Sequence, residues 1–279
     1  MLPLPHPLTL IRRRPTARPG LFALWVLVVG IALGGCGLLP EVEDKTKDLS
    51  AERLYKLAHE TLVEGNYTQA IKHFDTLESR YPYGRFAQQA ILESAYANYR
   101  AGETATAVAA CDRFIRTFPN HPNVEYAHYL KGIVNFREDQ GVLGYVYELD
   151  LSEREPKGMR ESYAAFKELV TKFPESRYAQ DAAARMTYLT NALARYEVNV
   201  ARYYHNRGAY VAAINRAQAS LVSYPRTPAN EGALDVLVQS YDKLGLTQLR
   251  DDSQRILQRT FPNSIYIAGP VAKPWWKFW

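Results

Sequence analysis

The chain has 279 residues, 47% of them hydrophobic and 23% charged, the composition of a globular protein, with a formal charge of +5. That charge is local: Arg12, Arg13, Arg14 and Arg18 precede residue 36 and no acid does, so of 34 basic side chains 30 remain against 29 acidic ones, a charge of +1. This excludes a surface built as a whole to bind a phosphate backbone.

The first 35 residues read as a signal peptide. The four arginines form a basic segment, Leu21 to Leu33 is apolar without a charge, and Leu33-Gly34-Gly35-Cys36 is a bacterial lipobox. Small residues before the cysteine fit the signal peptidase cleft, and the thiol accepts a diacylglyceryl group. The apolar run is shorter than the ~20 residues of a membrane span, which disfavours an uncleaved anchor. Cys36 is therefore expected as a lipidated N-terminus, and by resemblance to lipoprotein sorting signals Gly37 in place of aspartate favours the outer membrane. Residues 36–49, polar and charged from Pro40 to Asp48, read as a tether.

From Ser50 onward one skeleton recurs. Gly65, Tyr67, Ala70, Phe74, Leu77 and Pro82 are matched by Gly102, Thr104, Ala107, Cys111, Phe114 and Pro119, and by Gly208, Tyr210, Ala213, Ala217, Ser220 and Pro225. A weaker copy has Gly245, Thr247, Leu257 and Pro262, and a copy lacking the glycine keeps Ser162, Phe166, Leu169 and Pro174. The glycine ends one helix in a left-handed conformation. The steps of three and four place the apolar residues on one face of a second helix, and proline stops it. Such a pair cannot bury its own apolar face, whereas a stack of pairs can.

The expected fold class is all-α, a superhelical solenoid of five tetratricopeptide-like helix pairs over residues 50–262. The pairs span about 50–82, 86–119, 123–174, 176–225 and 227–262. Ser50 is the expected N-cap of the first helix, and Thr227-Pro228 the start of the last pair. Proline-to-proline steps of 37, 55, 51 and 37 place extra residues in the third and fourth pairs. In the third they form an insertion, 139–156, that reads either as a binding loop or as passive surface. In the fourth they lengthen Ser176 to Arg207 into one long helix or two with a kink near Asn191. The tail, 263–279, carries Trp275, Trp276, Phe278 and Trp279 with Lys273 and Lys277. It suits a membrane interface, an apolar pocket on a partner, or the open end of the stack.

Catalytic signatures are missing from the sequence: it has no phosphate-binding glycine loop, no His-Glu-x-x-His, no Cys-x-x-Cys and no Gly-x-Ser-x-Gly. His59 and His73 read as solvated helix residues and His121 as a turn residue. Cys111 reads as a small buried apolar residue. No enzyme activity, cofactor, metal or nucleic acid is expected.

Several non-repeat matches resemble the BamD (ComL) family, lipoproteins of the outer-membrane β-barrel assembly machine. They are Arg80-Tyr81-Pro82-Tyr83-Gly84 with Gln88-Gln89, and Asp112-Arg113-Phe114-Ile115-Arg116 with Pro119 and His121-Pro122-Asn123. Further matches are Ala194, Tyr196-Glu197, Tyr203-Tyr204, Arg207-Gly208-Ala209 and Asn215-Arg216. The resemblance covers Cys36 to about Phe261. It implies a non-catalytic protein on the periplasmic face of the outer membrane, docked on a transport-associated domain of BamA, contacting BamC, and offering a groove to unfolded outer-membrane proteins. A repeat lipoprotein that scaffolds cell-wall hydrolases or proteases is the alternative.

Within that frame the groove is expected to use Tyr83, Arg85, Phe86, Gln88, Gln89, Tyr96, Asn98, Tyr99 and Arg100. Tyrosine offers apolar area with a hydroxyl, and arginine meets a carboxylate. Arg216, lying between packed Ala213 and Ala217, is expected to project outward as the BamA anchor, with Tyr203, Tyr204 and Arg207 beside it. Arg216→Glu is then expected to weaken BamA binding with little change in thermal unfolding.

Overall fold

The computed structural model describes residues 46–137 and 156–268. The leader, Cys36, most of the tether, the insertion up to Glu155 and the tail from Gly269 lie outside these residues. Among them are eleven α-helices and no strand. In chain order they are α1 (Ala51–Val63), α2 (Tyr67–Arg80), α3 (Arg85–Ala101), α4 (Thr104–Thr117), α5 (Val124–Arg137) and α6 (Lys157–Lys172). They continue as α7 (Ala179–Asn206), α8 (Tyr210–Ser223), α9 (Ala229–Lys243), α10 (Thr247–Thr260) and the short α11 (Ile265–Ala268). All lie in one compact unit that begins at Leu49. No helix among the described residues is long and apolar enough to cross a membrane.

Consecutive helices pack into five antiparallel pairs, and first helices of successive pairs also touch, α1 with α3, α3 with α5 and α7 with α9. This is the tetratricopeptide-like stack. The repeated residues impose the same backbone each time. Gly65, Gly102, Gly208 and Gly245 have φ of 83°, 86°, 77° and 71°, a region where a Cβ would be strained. Before each proline the aromatic residue takes φ between −132° and −129° and ψ between 59° and 69°, and its N–H closes the last turn onto the carbonyl four residues back. Proline's ring disfavours a helical conformation in the preceding residue, so each second helix stops at the same point.

Ser50 caps α1 by accepting a 3.4 Å hydrogen bond from the Arg53 amide. Two other expected starts shift. Ser176 sits in a turn and accepts from the Tyr178 amide, and α7 begins only at Ala179. Pro228 is itself the N-cap of α9, while the Thr227 hydroxyl reaches the Tyr224 carbonyl. The long segment resolves as one helix of 28 residues, without a break at Asn191.

The core forms where the skeleton puts it. Ala70, Phe74, Leu77, Ala107, Cys111, Phe114, Phe166, Leu169, Ala213 and Ala217 are each 0% exposed. Burial pushes the Cys111 thiol up to about 12, which removes the thiolate that would make it a nucleophile. Polar residues at core positions bond across the pair. Ser162 donates to the Gly132 carbonyl at 2.8 Å and Ser220 to the Ala194 carbonyl at 3.3 Å. In α10 the two alanine-type positions become Arg250 and Gln254. Arg250 is engaged by Asp242 and Asp251. This face is polar, as a capping repeat requires.

His128 of α5 is 2% exposed, with Nδ1 3.6 Å from a Glu168 carboxylate oxygen and no hydrogen-bond partner. Burial holds it below the ordinary histidine value of 6.5, outweighing the pull of Glu168. The neutral form is therefore preferred in the fold, so the unfolded chain takes up the proton first as pH falls. Stability contributed by this group is present above 6.5 and is lost as pH drops below it. Chemical denaturation at about pH 7.5 and about pH 5.5 should show this loss, and His128→Gln should make it smaller.

Candidate binding groove and partner face

Helices α1, α2, α3 and α5 and the turn before α7 line a cavity of about 470 Å³. Its floor is α3. Burial there follows the helical period: Ile91, Ser94, Ala95 and Asn98 turn into the stack, while Gln89, Glu93, Tyr96 and Arg100 line the cavity. Glu93 organises one end. It accepts the Tyr55 hydroxyl at 2.6 Å and Gln89 Nε2 at 3.3 Å, and its other oxygen lies 2.8 Å from His59 Nδ1. Burial, with Glu93 holding the hydroxyl proton, raises the Tyr55 phenol.

The other end is made of arginines laid on tyrosines. The Arg100 guanidinium is 4.8 Å from the Tyr67 ring centre and 5.7 Å from that of Tyr96, and donates to the Tyr96 hydroxyl at 2.8 Å. Across from it, Arg177 lies 4.7 Å over Tyr178 and donates to that hydroxyl. Tyr178 in turn stacks on Tyr129 at 4.7 Å and meets Tyr126 at 5.8 Å. Neither guanidinium meets a carboxylate among the described residues. The slot thus offers aromatic walls and two cations with donors to spare.

Of the groove residues expected from sequence, Gln89, Tyr96 and Arg100 line this cavity. Asn98 does not. It is 5% exposed and its amide donates to the Ser94 carbonyl at 2.8 Å, because it falls on the inward face of α3. Tyr83 is 90% exposed in the turn before α3. Phe86 packs on Tyr55 in the first core cluster, with Arg85 over its ring. Gln88 is half-buried. Tyr99 packs with Ala107 and Cys111 in the next core cluster. His59 is exposed on α1 as expected, and its Nδ1 also lies 2.8 Å from Glu93. Sequence reasoning missed Tyr67, Glu93, Tyr126, Arg177 and Tyr178. Arg177 and Tyr178 reach the groove from the turn before α7, where Tyr178 packs on Tyr126 and Tyr129 of α5.

The second candidate surface lies farther along α7. Arg216 of α8 is half-exposed, but its Nη1 donates at 3.1 Å to Glu197, whose side chain is only 7% exposed. Arg160 of α6 meets the other carboxylate oxygen at 3.4 Å. Arg216 therefore does not simply project outward, and the expectation for Arg216→Glu changes. A second carboxylate against buried Glu197 is expected to cost on the order of 2 kcal/mol, seen as a lower melting temperature. Nearby, Tyr203 is 56% exposed with Arg207 5.3 Å over its ring. Tyr204 packs into the core formed by α7, α8, α9 and α10.

Stacked helix pairs around an aromatic, charged groove define a tetratricopeptide-like repeat protein. The family model for the YfiO outer membrane lipoproteins matches residues 47–256. The chain is 45% identical over 262 residues to outer membrane protein assembly factor BamD of Neisseria meningitidis serogroup A, covering 92% of this chain and 98% of that one. It is 38% identical over 268 residues to the BamD of Xylella fastidiosa, covering 95% and 90%. Against the BamD of Haemophilus influenzae it is 34% identical over 254 residues, covering 91% and 93%. The chain belongs to the YfiO family of outer membrane lipoproteins, together with these BamD assembly factors.

Proposed function

We infer that this protein is an outer-membrane protein assembly factor that works by binding rather than by reaction. An acyl chain on Cys36 holds it to the outer membrane. The groove of α1, α2, α3, α5 and the start of α7 takes unfolded segments of outer-membrane proteins. The α7–α8 surface around Arg216 docks on the periplasmic region of BamA, and BamC and the other lipoproteins of the machine contact the same stack.

The observation that carries this reading is the pair of tyrosine-backed arginines, Arg100 and Arg177, facing a cavity without a carboxylate of their own among the described residues. An arginine held flat on a ring keeps its fork oriented, so little freedom is lost when an anionic, aromatic segment binds. A photo-crosslinker placed in intact cells at Gln89 is expected to capture outer-membrane proteins, and one at Arg216 to capture BamA. Capture of cell-wall hydrolases from Arg216, with BamA absent, would replace this reading by the scaffold alternative.

A further inference from the structure

Glu93 is the one acid among the described residues that line the groove, and it shares that space with the Arg100 and Arg177 cations. Its carboxylate is held in place. Tyr55 and Gln89 donate to one oxygen, His59 Nδ1 lies 2.8 Å from the other, and the side chain is only 17% exposed. A carboxylate has about four acceptor positions, so the oxygen facing His59 keeps room for one more donor. A fixed charge with little water around it is screened less than one on an open surface, and so discriminates more sharply between ligands.

The spacing makes this charge part of a ruler. Glu93 and Arg100 are seven residues apart on the same face of α3, which is two helical turns or ~10.5 Å of rise. Both heads lean back by one turn, Glu93 toward Gln89 and Arg100 toward the Tyr96 hydroxyl. The offset therefore persists at the charged ends. An extended chain advances ~3.3 Å per residue, so about three residues bridge them. Tyr96, which also lines the cavity, lies between the two on α3 and gives the intervening side chains a ring to pack on.

We propose that Glu93 is a specificity-determining residue of the groove. It selects an extended segment whose carboxylate meets Arg100 and Arg177 and which carries, about three residues away, a hydrogen-bond donor or a positive charge. It rejects a segment with an acid at that place. This rests on the reading of the groove as the site for unfolded outer-membrane protein segments. An acid there would face a carboxylate that its neighbours hold in position, whereas a lysine supplies the donor that the free acceptor position lacks. The carboxylate at the arginine end comes from a chain terminus or from an acidic side chain, since both present the same two oxygens.

The test uses the full mature chain in detergent and fluorescently labelled serine–glycine peptides that end in two aromatic residues and a free carboxylate. Lysine or glutamate is placed three residues before the last. The lysine peptide is expected to bind about 10-fold more tightly than the glutamate peptide by anisotropy. Moving the substitution three residues farther from the carboxylate, beyond Glu93, should shrink the preference to below about 3-fold. In Glu93→Gln, which keeps the size of the side chain and still accepts from Tyr55, the preference at the original place should fall below about 2-fold. The ratio is read within one variant, so a general change in affinity does not enter it, and melting curves establish that the variant is folded. Amidating the terminus should weaken the lysine peptide about 10-fold, and an aspartate in the last place of the amidated peptide restores binding where a side chain is the source. Equal binding of the two peptides, a preference that survives Glu93→Gln, or one that is the same at both places overturns the proposal and leaves the groove a peptide site. Amidation without effect overturns its carboxylate half. If Arg100→Glu binds all of these peptides as the unsubstituted protein does, the groove reading itself falls.

Discussion

Alanine at Gly132 is expected to destabilise the protein, although alanine is the better helix former. Gly132 sits inside α5, where a glycine costs about 1 kcal/mol against alanine. A Cβ there would lie 2.6 and 2.8 Å from Cδ1 and Cζ of Phe166, and closer still to Cε1. Phe166 is 0% exposed in α6 and cannot swing away. Ser162 also ties α6 to the Gly132 carbonyl at 2.8 Å, so separating the helices stretches that bond. Overpacking of this kind costs about 1–3 kcal/mol. At the upper end of that range, fitting a Cβ this close to a ring, it exceeds the helix gain by about 2 kcal/mol, or about 4–8 °C in melting temperature. Phe166→Leu in the same chain should return part of the loss, because the two substitutions share one space. A Gly132→Ala variant as stable as the original would mean that α5 and α6 do not approach this closely.

Charge reversal at Arg100 is expected to act on binding and to spare the fold. Arg100 is exposed at the rim of the groove, and its contacts are the Tyr67 and Tyr96 rings and the Tyr96 hydroxyl. None of these is a core contact for the guanidinium. Loss of a charge-assisted hydrogen bond to an anionic ligand is worth about 1.5–3 kcal/mol, and repulsion by the new carboxylate adds to it. Arg100→Glu should therefore weaken an aromatic, carboxylate-bearing outer-membrane protein peptide by at least about 10-fold. Arg100→Lys should fall between, since lysine keeps the charge but not the flat stacking on tyrosine. Fluorescence anisotropy with a labelled peptide reads this directly. Equal affinity for all three proteins would exclude Arg100 from the ligand's path.

The repeating architecture was open to reading because its determinants are local. Gly65, Gly102, Gly208 and Gly245 mark left-handed caps by their chemistry, and the residue before each proline is restricted by its neighbour. Apolar steps of three and four name the buried face without any tertiary contact. The groove was legible in part. Gln89, Tyr96 and Arg100 share a face of α3 by helical period alone, while Asn98, two residues from Tyr96, was misplaced because its polarity concealed an inward position. Nothing local marked Arg177 and Tyr178, whose place beside the groove is set by the packing of Tyr178 on Tyr126 and Tyr129 of α5.

By itself, then, the sequence determined the helix pairs, their caps and their cores, since each depends on residues within one turn or one pair. It also carries Leu33-Gly34-Gly35-Cys36, the motif read as a lipobox, which lies outside the described structure. Only the tertiary arrangement decided which side chains meet between helices. It brought Arg177 toward Arg100, closed the space over Gly132, and set Arg160 and Arg216 on one buried Glu197. Those contacts depend on how whole helices pack within and between pairs, and no short window of residues encodes that packing.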